Sequence, residues 1–292
     1  MDEAWPAVHR SWSLRRAGLP VVIGGGIVVA IVLLAILAPW ISPHDPLAQV
    51  LPDRLKPPAW LPGGSPTYLL GTDANGRDLL SRILWGARTS LEIGVLSVLL
   101  GAAIGVTSGL LAGYRGGWLD TIIGRLADIQ QAIPLLILAL AVIAVVGSSI
   151  LNLVLVLGIG SWLYYYRVVR GEVLAVRERP YIDAARAVGA GDRRILLHHI
   201  LPNVAGSIVV IVTLELPQVI LFTAGLTFLG LGVPPPTPEW GRLIFDGRDY
   251  LQSAWWLTVE PAVFLVLFVL GVNLLGDPLR DRLDPVRRHR RR

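Results

Sequence analysis

Cysteine is absent from this 292-residue sequence, and lysine occurs only at Lys56. Without cysteine the chain can form no disulfide, thiolate metal site or cysteine nucleophile. A P-loop, which cradles the phosphates of ATP, needs the pattern Gly-x-x-x-x-Gly-Lys followed by Ser or Thr. Lys56 stands instead in Arg-Leu-Lys-Pro-Pro. The sequence therefore contains no P-loop, and any ATP must be bound by another protein.

Charged residues are also scarce, at 16% of the chain, while hydrophobic residues make up 53%. With a mean hydropathy of +0.61, the chain is too apolar for a soluble domain of this length. Because about twenty mainly apolar residues cross the hydrocarbon of a bilayer, the sequence predicts an all-α integral membrane protein with six transmembrane helices. We place them near residues 20–41, 88–113, 119–147, 150–169, 204–231 and 258–277.

Clusters of arginine predict the orientation of these spans. They occur at the amino end, in the loop after the fourth span and in the tail, at residues 287–292. All three lie on one side of a six-span chain, and positively charged loops stay in the cytoplasm. We therefore expect both termini in the cytoplasm of a bacterium. The terminal arginine run favours contact with anionic lipid over nucleic acid.

The predicted spans divide the chain into five parts. The first span is long enough to be a retained anchor, since signal cores are typically about 7 to 15 residues. The parts are a cytoplasmic amino-terminal segment 1–19, the first transmembrane helix 20–41, an extracytoplasmic loop 42–87 with an amphipathic segment, a five-helix core 88–277 that includes a cytoplasmic loop 170–203 and an outer loop 232–257, and a basic cytoplasmic tail 278–292.

The cytoplasmic loop contains a regular series of helix signals. Pro180 suits the first turn of a helix, and Gly189 can adopt the left-handed conformation that ends one. Asp192 can cap a second helix by accepting a backbone N–H, and Pro202 marks the start of the next segment. The pattern predicts two short helices joined by a glycine hinge, with small Ala184 leaving a shallow surface for another protein.

The same loop resembles the coupling loop of ABC importer permeases. That pattern is Glu-Ala-Ala, three residues, Gly, nine residues, an apolar residue, one residue and Leu-Pro. Two positions depart from it, since Asp183 replaces the glutamate and His199 stands at the apolar position. The resemblance implies that the loop contacts an ATPase through Tyr181, Asp183, Ala184, Ala185, Arg186, Gly189, Leu201 and Pro202.

A second motif lies in the loop 42–87. Gly71-Thr72-Asp73-Ala74-Asn75-Gly76-Arg77-Asp78 resembles the Gly-Thr-Asp, two residues, Gly-Arg-Asp signature of the dipeptide, oligopeptide and nickel branch of these permeases. It lacks the alternating ligands and downstream glutamate of a calcium loop, so we expect no metal site. The apolar residues that follow share one helical face and predict an amphipathic segment at the membrane surface: Leu79, Leu80, Ile83 and Leu84.

These motifs, with similar likenesses at residues 228–241 and 273–285, imply a type I ABC importer permease without enzyme activity or cofactor of its own. The implied partners are a second, similar permease, two ATPase subunits that hold ATP and Mg²⁺, and an extracytoplasmic peptide-binding protein at the bacterial inner membrane. The chain would import di- or oligopeptides by alternating access, with nickel or another small solute as the alternative. A membrane scaffold is less favoured because it gives no reason for the coupling motif.

Glu215 lies near the middle of the fifth predicted span. Ionisable residues at membrane depth are costly and indicate function by default, so Glu215 is a candidate for the translocation pathway. The alternative is a bundle-facing carboxyl group that is protonated or paired. We expect Arg125 and Asp128 to form a local ion pair and Pro134 to kink their helix.

Glycine recurs at every fourth position of the second predicted span. On a helix these residues share one face, where a neighbouring helix can approach closely. We interpret the series, called here the glycine ladder, as a packing surface, and a sliding surface is the alternative. The ladder consists of Gly101, Gly105, Gly109 and Gly113.

We predict that Gly189→Pro leaves membrane insertion intact but uncouples ATP hydrolysis by the partner from transport. Proline distorts the hinge without touching a span. Insertion is measured as the amount of chain in membranes, and coupling as solute taken up per ATP hydrolysed. Normal uptake by this variant would contradict the coupling assignment.

Overall fold

The computed structural model describes residues 14–283, and the arginines at 10 and 287–292 lie outside this part of the chain. The described residues form helices, short turns and one isolated bridge between Thr72 and Asp78. The helices are α1 (Leu14–Ile41), α2 (Leu79–Arg115), α3 (Gly117–Ala132), α4 (Leu135–Val146), α5 (Ile150–Arg177), α6 (Pro180–Ala187), α7 (Asp192–Arg194), α8 (Leu201–Phe228), α9 (Trp240–Gly247) and α10 (Trp256–Leu283).

Five of these helical stretches are long and apolar enough to span a membrane. A sixth span arises only if α3 and α4 are counted together, and they are bent by 86°. The bend lies at Pro134, which has no N–H to continue the ladder, and Ile133 before it is extended at φ −105° and ψ 119°. Proline disfavours helical geometry in the residue before it. The predicted kink is therefore a complete break between two helices.

Helix α2 begins nine residues before the predicted span, directly after its N-cap Asp78, whose carboxylate accepts from the Ser81 N–H. Its first turns carry Leu79 and Ile83, which are buried in a cluster with Leu243 and Trp256. The prediction of an amphipathic segment on the membrane surface is therefore wrong. The apolar face of this segment packs against α9 and the start of α10, which lie far away in the sequence.

The glycine ladder packs α2 against α5. A Cβ at Gly105 would lie 2.5 Å from Tyr165 Cβ and close to the Trp162 carbonyl, and one at Gly113 would lie 2.8 Å from Val173 Cβ. These separations are shorter than van der Waals contact, so only glycine permits this spacing of the two backbones. The interpretation of the ladder as a packing surface agrees with these contacts, as expected where small residues bring membrane helices together.

The Gly-Thr-Asp motif forms a buried ionic cluster in the loop before α2. Asp73 Oδ2 accepts from Arg77 Nε at 2.6 Å and lies 3.4 Å from Arg82 Nε. Arg82, whose side chain is 1% exposed, also donates to the Pro46 carbonyl at 3.2 Å. Gly76 has a φ of +73°, and a Cβ there would overlap the backbone of Val50. The motif therefore folds the loop onto the start of α2.

Glu239 fixes the proline-rich loop after α8 to the same end of α2. Its buried carboxylate accepts from Ser90 Oγ at 3.0 Å and from the N–H groups of Gly241 and Arg242 at 2.9 Å each. Burial raises the pKa of Glu239, and these donors act in the opposite direction. The adjacent Trp240 donates its indole N–H to the Ile83 carbonyl at 3.2 Å. α9 is thereby held between α2 and α8.

The predicted ion pair between Arg125 and Asp128 is wrong. Asp128 Oδ1 instead lies 3.4 Å from Arg167 Nη2 on α5, with both side chains largely exposed. Residues three apart on one helix are close enough to pair, but α5 passes beside α3 and supplies a second arginine. The charge therefore links two helices rather than two turns of one.

We predict that Gly105→Ala lowers the free energy of unfolding by about 1 to 3 kcal/mol, the usual cost of overpacking. Gly171→Ala on α5 is the matched control, because nothing lies within 4 Å of a Cβ at that position. Thermal unfolding of the purified protein in lipid nanodiscs measures both. Equal stability of the two variants would contradict the close packing of α2 on α5.

Candidate coupling surface

Helix α6 begins and ends where the sequence signals predict. Arg179, the residue before Pro180, is extended, and Pro180 occupies the first turn. Gly189 has a φ of +82° and donates its N–H to the Arg186 carbonyl at 2.9 Å. The left-handed glycine closes the helix because it satisfies a carbonyl left free at the helix end. The expected hinge is present at this position.

One side of α6 is anchored and the other is exposed. Ile182 is fully buried in a cluster with Val173, Ile195 and Val204 from α5, the turn after α7, and α8. Val188, at the other side, is 85% exposed. We call the exposed residues between 181 and 189 the coupling surface: Tyr181, Asp183, Ala184, Arg186, Ala187, Val188 and Gly189.

Asp183 is available for a partner within this surface. Its carboxylate lies 3.0 Å from Arg186 Nη1, one turn along the helix, and the two side chains are 69% and 45% exposed. Exposed pairs of this kind contribute about 0 to 1 kcal/mol. A protein that offers a better-placed basic group can therefore replace Arg186 at little cost.

Asp192 does not cap a helix, contrary to the sequence prediction. Gly191 is the N-cap of α7, and Asp192 Oδ1 instead accepts from the Tyr114 hydroxyl at 2.7 Å. The guanidinium of Arg186 lies 5.8 Å from the centre of the Tyr114 ring. Tyr114, the last buried residue of α2, therefore contacts both sides of the hinge.

Tyr114 is the functional candidate that sequence reasoning missed. The available signal was its position directly after the last glycine of the ladder, at the end of α2 that approaches α6. Two arginines of α5 reinforce this junction. Arg177 Nη1 donates to the Gly113 carbonyl at 2.8 Å, and Arg170 Nη2 donates to Asp120 Oδ2 at 2.6 Å. Arg170 and Arg177 belong to the arginine cluster that predicts the orientation of the spans. They thus also join α5 to α3 and to α2.

Leu201 and Pro202 lie inside a continuous helical stretch, Asp192–Phe228, instead of after a second short helix. The residues just before them, Ile195–Ile200, form a π-helical turn. Proline has no N–H for the carbonyl four residues earlier, and a wider turn accommodates that loss. The predicted pair of short helices is therefore one short helix, α6, followed by the first turns of a long one.

Asn203 links this long helix back to α6. Its amide Nδ2 donates to the His199 carbonyl at 2.6 Å and to the Tyr181 hydroxyl at 3.2 Å. The structure therefore brings Tyr181 and the segment around Pro202 together. Tyr181, 39% exposed, belongs both to this junction and to the coupling surface.

Glu215 lies away from the coupling surface, thirteen residues beyond Pro202 on α8, or about 20 Å along a helix. Its side chain is half-buried. A second acidic residue, Glu172 on α5, accepts from Ser207 Oγ. Sequence analysis did not single out Glu172, because it stands beyond the predicted end of its span.

Named relatives match most of this chain. It is 46% identical over 255 residues to the di/tripeptide transport system permease protein DppC of Pseudomonas aeruginosa, covering 87% of this chain and 84% of that protein. It is 42% identical over 274 residues to the dipeptide transport system permease protein DppC of Haemophilus influenzae, covering 94% and 93%. It is 43% identical over 284 residues to the glutathione transport system permease protein GsiD of Escherichia coli, covering 97% and 92%.

The fold also matches a solved transporter. An inward-facing structure of the MetNI methionine ABC transporter superposes with a TM-score of 0.55 and 22% sequence identity, covering 70% of this chain and 98% of that chain. At this identity the likeness concerns the fold alone. It confirms the predicted all-α architecture of a type I ABC importer permease.

Two family models match along the chain. The model described as N-terminal TM domain of oligopeptide transport permease C matches residues 20–58. The model described as binding-protein-dependent transport system inner membrane component matches residues 105–289, more than half of the chain. The chain therefore belongs to the binding-protein-dependent inner membrane components, the permeases of ABC importers, and is a multi-pass membrane protein.

Proposed function

We propose that this chain carries di- or oligopeptides across the bacterial inner membrane by alternating access. The observation that carries the proposal is the coupling surface, an exposed helix whose buried side is anchored to α5 and α8. The three relatives named above transport, by their names, dipeptides, tripeptides and glutathione. All of these are short peptides, which favours peptide over nickel as the solute.

The proposed assembly contains this permease, a second similar permease, two ATPase subunits and an extracytoplasmic peptide-binding protein. The end of the bundle that carries α6 faces the cytoplasm, as do both termini, in keeping with the arginines of residues 170–203 and the positive-inside rule. The ATPases bind ATP and Mg²⁺, since this chain has no P-loop. The loops 42–87 and 232–257 then face the binding protein.

Coupling proceeds from α6 into the spans through fixed contacts. An ATPase that moves the coupling surface displaces Ile182 and, through Arg186 and Asp192, the ring and hydroxyl of Tyr114. Tyr114 passes the displacement to α2, which is locked to α5 by the glycine ladder. To shift the populations of the two arrangements of the bundle from about 1:99 to 99:1, nucleotide must favour one arrangement over the other by about 5.5 kcal/mol. Contacts with backbone groups and buried side chains transmit such a load better than exposed ion pairs.

Glu215 is proposed to face the translocation pathway. It is half-buried in the middle of α8, and a charge at this depth is tolerated where it meets water or a polar partner. A carboxylate there would attract the ammonium group of a passing peptide.

We predict that deletion of the gene abolishes uptake of a labelled dipeptide in a strain without other peptide importers, and that excess nickel does not compete in the parent. A labelled pentapeptide, run in parallel, reports the length limit. Plasmid-borne wild type restores uptake. Unchanged dipeptide uptake after deletion, or competition by nickel, would contradict the peptide assignment.

The structure provides a matched control for Gly189→Pro. Proline requires a φ near −65°, whereas Gly189 is at +82°. Gly191, two residues away and also exposed, has a φ of −70°. Gly191→Pro should therefore retain uptake per ATP while Gly189→Pro loses it. If both variants behave alike, the left-handed hinge is not what couples α6 to the spans.

We predict that Tyr114→Phe loosens the junction between α2 and α7, because Asp192 loses its hydroxyl partner at a cost of about 0.5 to 1.5 kcal/mol. Amide hydrogen exchange of residues 182–194 should accelerate, and uptake per ATP should fall while the ATPase rate persists. Tyr164→Phe is the control, since that side chain on α5 is exposed. Unchanged exchange and coupling in Tyr114→Phe would remove Tyr114 from the transmission route.

A further inference from the structure

Helix α2 carries two charged residues whose role the coupling mechanism does not explain. Arg88 and Glu92 are one helical turn apart and both exposed, at the end of the bundle opposite to α6. Within residues 14–283 neither side chain has an ion-pair or hydrogen-bond partner, and the Arg88 guanidinium lies 5.7 Å from the centre of the Trp85 ring. Charged side chains in membrane-spanning helices face water or a partner rather than lipid. These two charges on α2 therefore face water or a partner that is not part of this chain.

The two charges line a cavity of about 800 Å³. One wall is α2 itself, from Trp85 to Glu92, another is the end of α1 with the segment that follows it, residues 39–47, and Thr237 and Pro238 form a third side. Cavities that bind small ligands measure about 300 to 1,000 Å³ and combine apolar walls with a few polar groups. The size and composition of this one match that description.

Arg88 and Glu92 are charged residues of this cavity whose side chains have no ion-pair or hydrogen-bond partner within residues 14–283. Two other titratable residues line it: His44, whose Nδ1 lies 3.7 Å from Asp78 Oδ2, and Asp45, whose Oδ1 accepts from the Leu47 N–H at 2.8 Å. The Arg88 guanidinium lies within cation–π range of the Trp85 ring, and its donors can bind a carboxylate in a bidentate way. Glu92 offers an acceptor for an ammonium group.

The backbone spacing of Arg88 and Glu92 is close to the length of a dipeptide. Four residues of helix rise by about 6 Å, and two residues of extended chain span about 7 Å. The rest of the wall combines proline and tryptophan surface with the hydroxyl groups of Ser42, Thr89 and Thr237.

We propose that this cavity binds the termini of a dipeptide, with the α-carboxylate on Arg88 and the α-ammonium on Glu92. The inference rests on the proposed peptide-import function and places an acceptor site at the outer mouth of the pathway. A peptide released there meets the permease before it reaches Glu215, which lies deeper.

The test measures direct binding of tritiated Ala-Phe to the complete transporter in nanodiscs, without the binding protein, which has its own selectivity. Arg88→Gln and Glu92→Gln should each weaken binding about fivefold, the size of one exposed ion pair. Ala-Phe amide has no carboxylate, so Arg88→Gln should not weaken its binding further. N-acetyl-Ala-Phe has no ammonium group, so Glu92→Gln should not weaken its binding further. Arg54→Gln, which removes an exposed charge from the loop outside this cavity, should leave all three peptides unaffected.

The charge-swapped pair Arg88→Glu with Glu92→Arg provides a second test. It should bind Ala-Phe better than either single swap, because a reversed peptide can use the same two charges. The proposal would be overturned if the variants weakened binding of all three peptides equally or weakened none of them. It would also be overturned if the wild type showed no detectable binding, or if the variants changed only the concentration of binding protein needed for transport. Dipeptide uptake by the wild type is scored separately, so failure of the import function is distinguished from failure of this site.

Discussion

The backbones of α2 and α5 approach each other along four turns of glycine, and the other helices are arranged around this contact. In a bilayer, lipid tails solvate apolar side chains about as well as a neighbouring helix does, so association depends on close packing. At Gly109 a Cβ would lie 2.9 Å from the Tyr166 carbonyl, and at Gly113 it would lie 2.8 Å from Val173 Cβ. A contact made by backbone atoms cannot adjust through rotamer changes. α2 and α5 therefore form one unit, on which α1, α8 and the bent pair α3 and α4 pack.

Both ends of this unit are fixed by polar groups. At the coupling end, Tyr114 binds Asp192 and Arg177 binds the Gly113 carbonyl. At the opposite end, Asp73 pairs with Arg77 and Arg82, and Glu239 accepts from Ser90 on α2. Neutral or paired polar groups of this kind are directional, whereas the apolar middle of the bundle is not. The ends of α2 are thus fixed by hydrogen bonds and ion pairs, and the separation of α2 and α5 by glycine.

Features that depend on local sequence were predictable, and features that depend on distant partners were not. The glycine ladder follows from helical periodicity, and the ends of α6 follow from the backbone preferences of Pro180 and Gly189. Leu79 was misassigned to the membrane surface because its partners, Leu243 and Trp256, lie more than 160 residues away. Asp128 and Asp192 were each given a local role by rules for single helices. In the fold a neighbouring helix offers each of them a better partner, Arg167 or Tyr114.

The two proposed functional regions lie on the same rigid helix. Arg88 and Tyr114 are 26 residues apart on α2, or about 39 Å along its axis, with no proline between them and with the glycine face held against α5. A helix fixed in this way transmits displacement as a lever, because bending it would break contacts that no side chain can replace. In the proposed mechanism, movement at the coupling end is accompanied by movement of the cavity wall that carries Arg88 and Glu92. Rigid-body rotation of this kind is one of the common routes of conformational switching, and under the two proposals it would link closure of the ATPases to release of a bound peptide without a chain of local rearrangements through the bilayer.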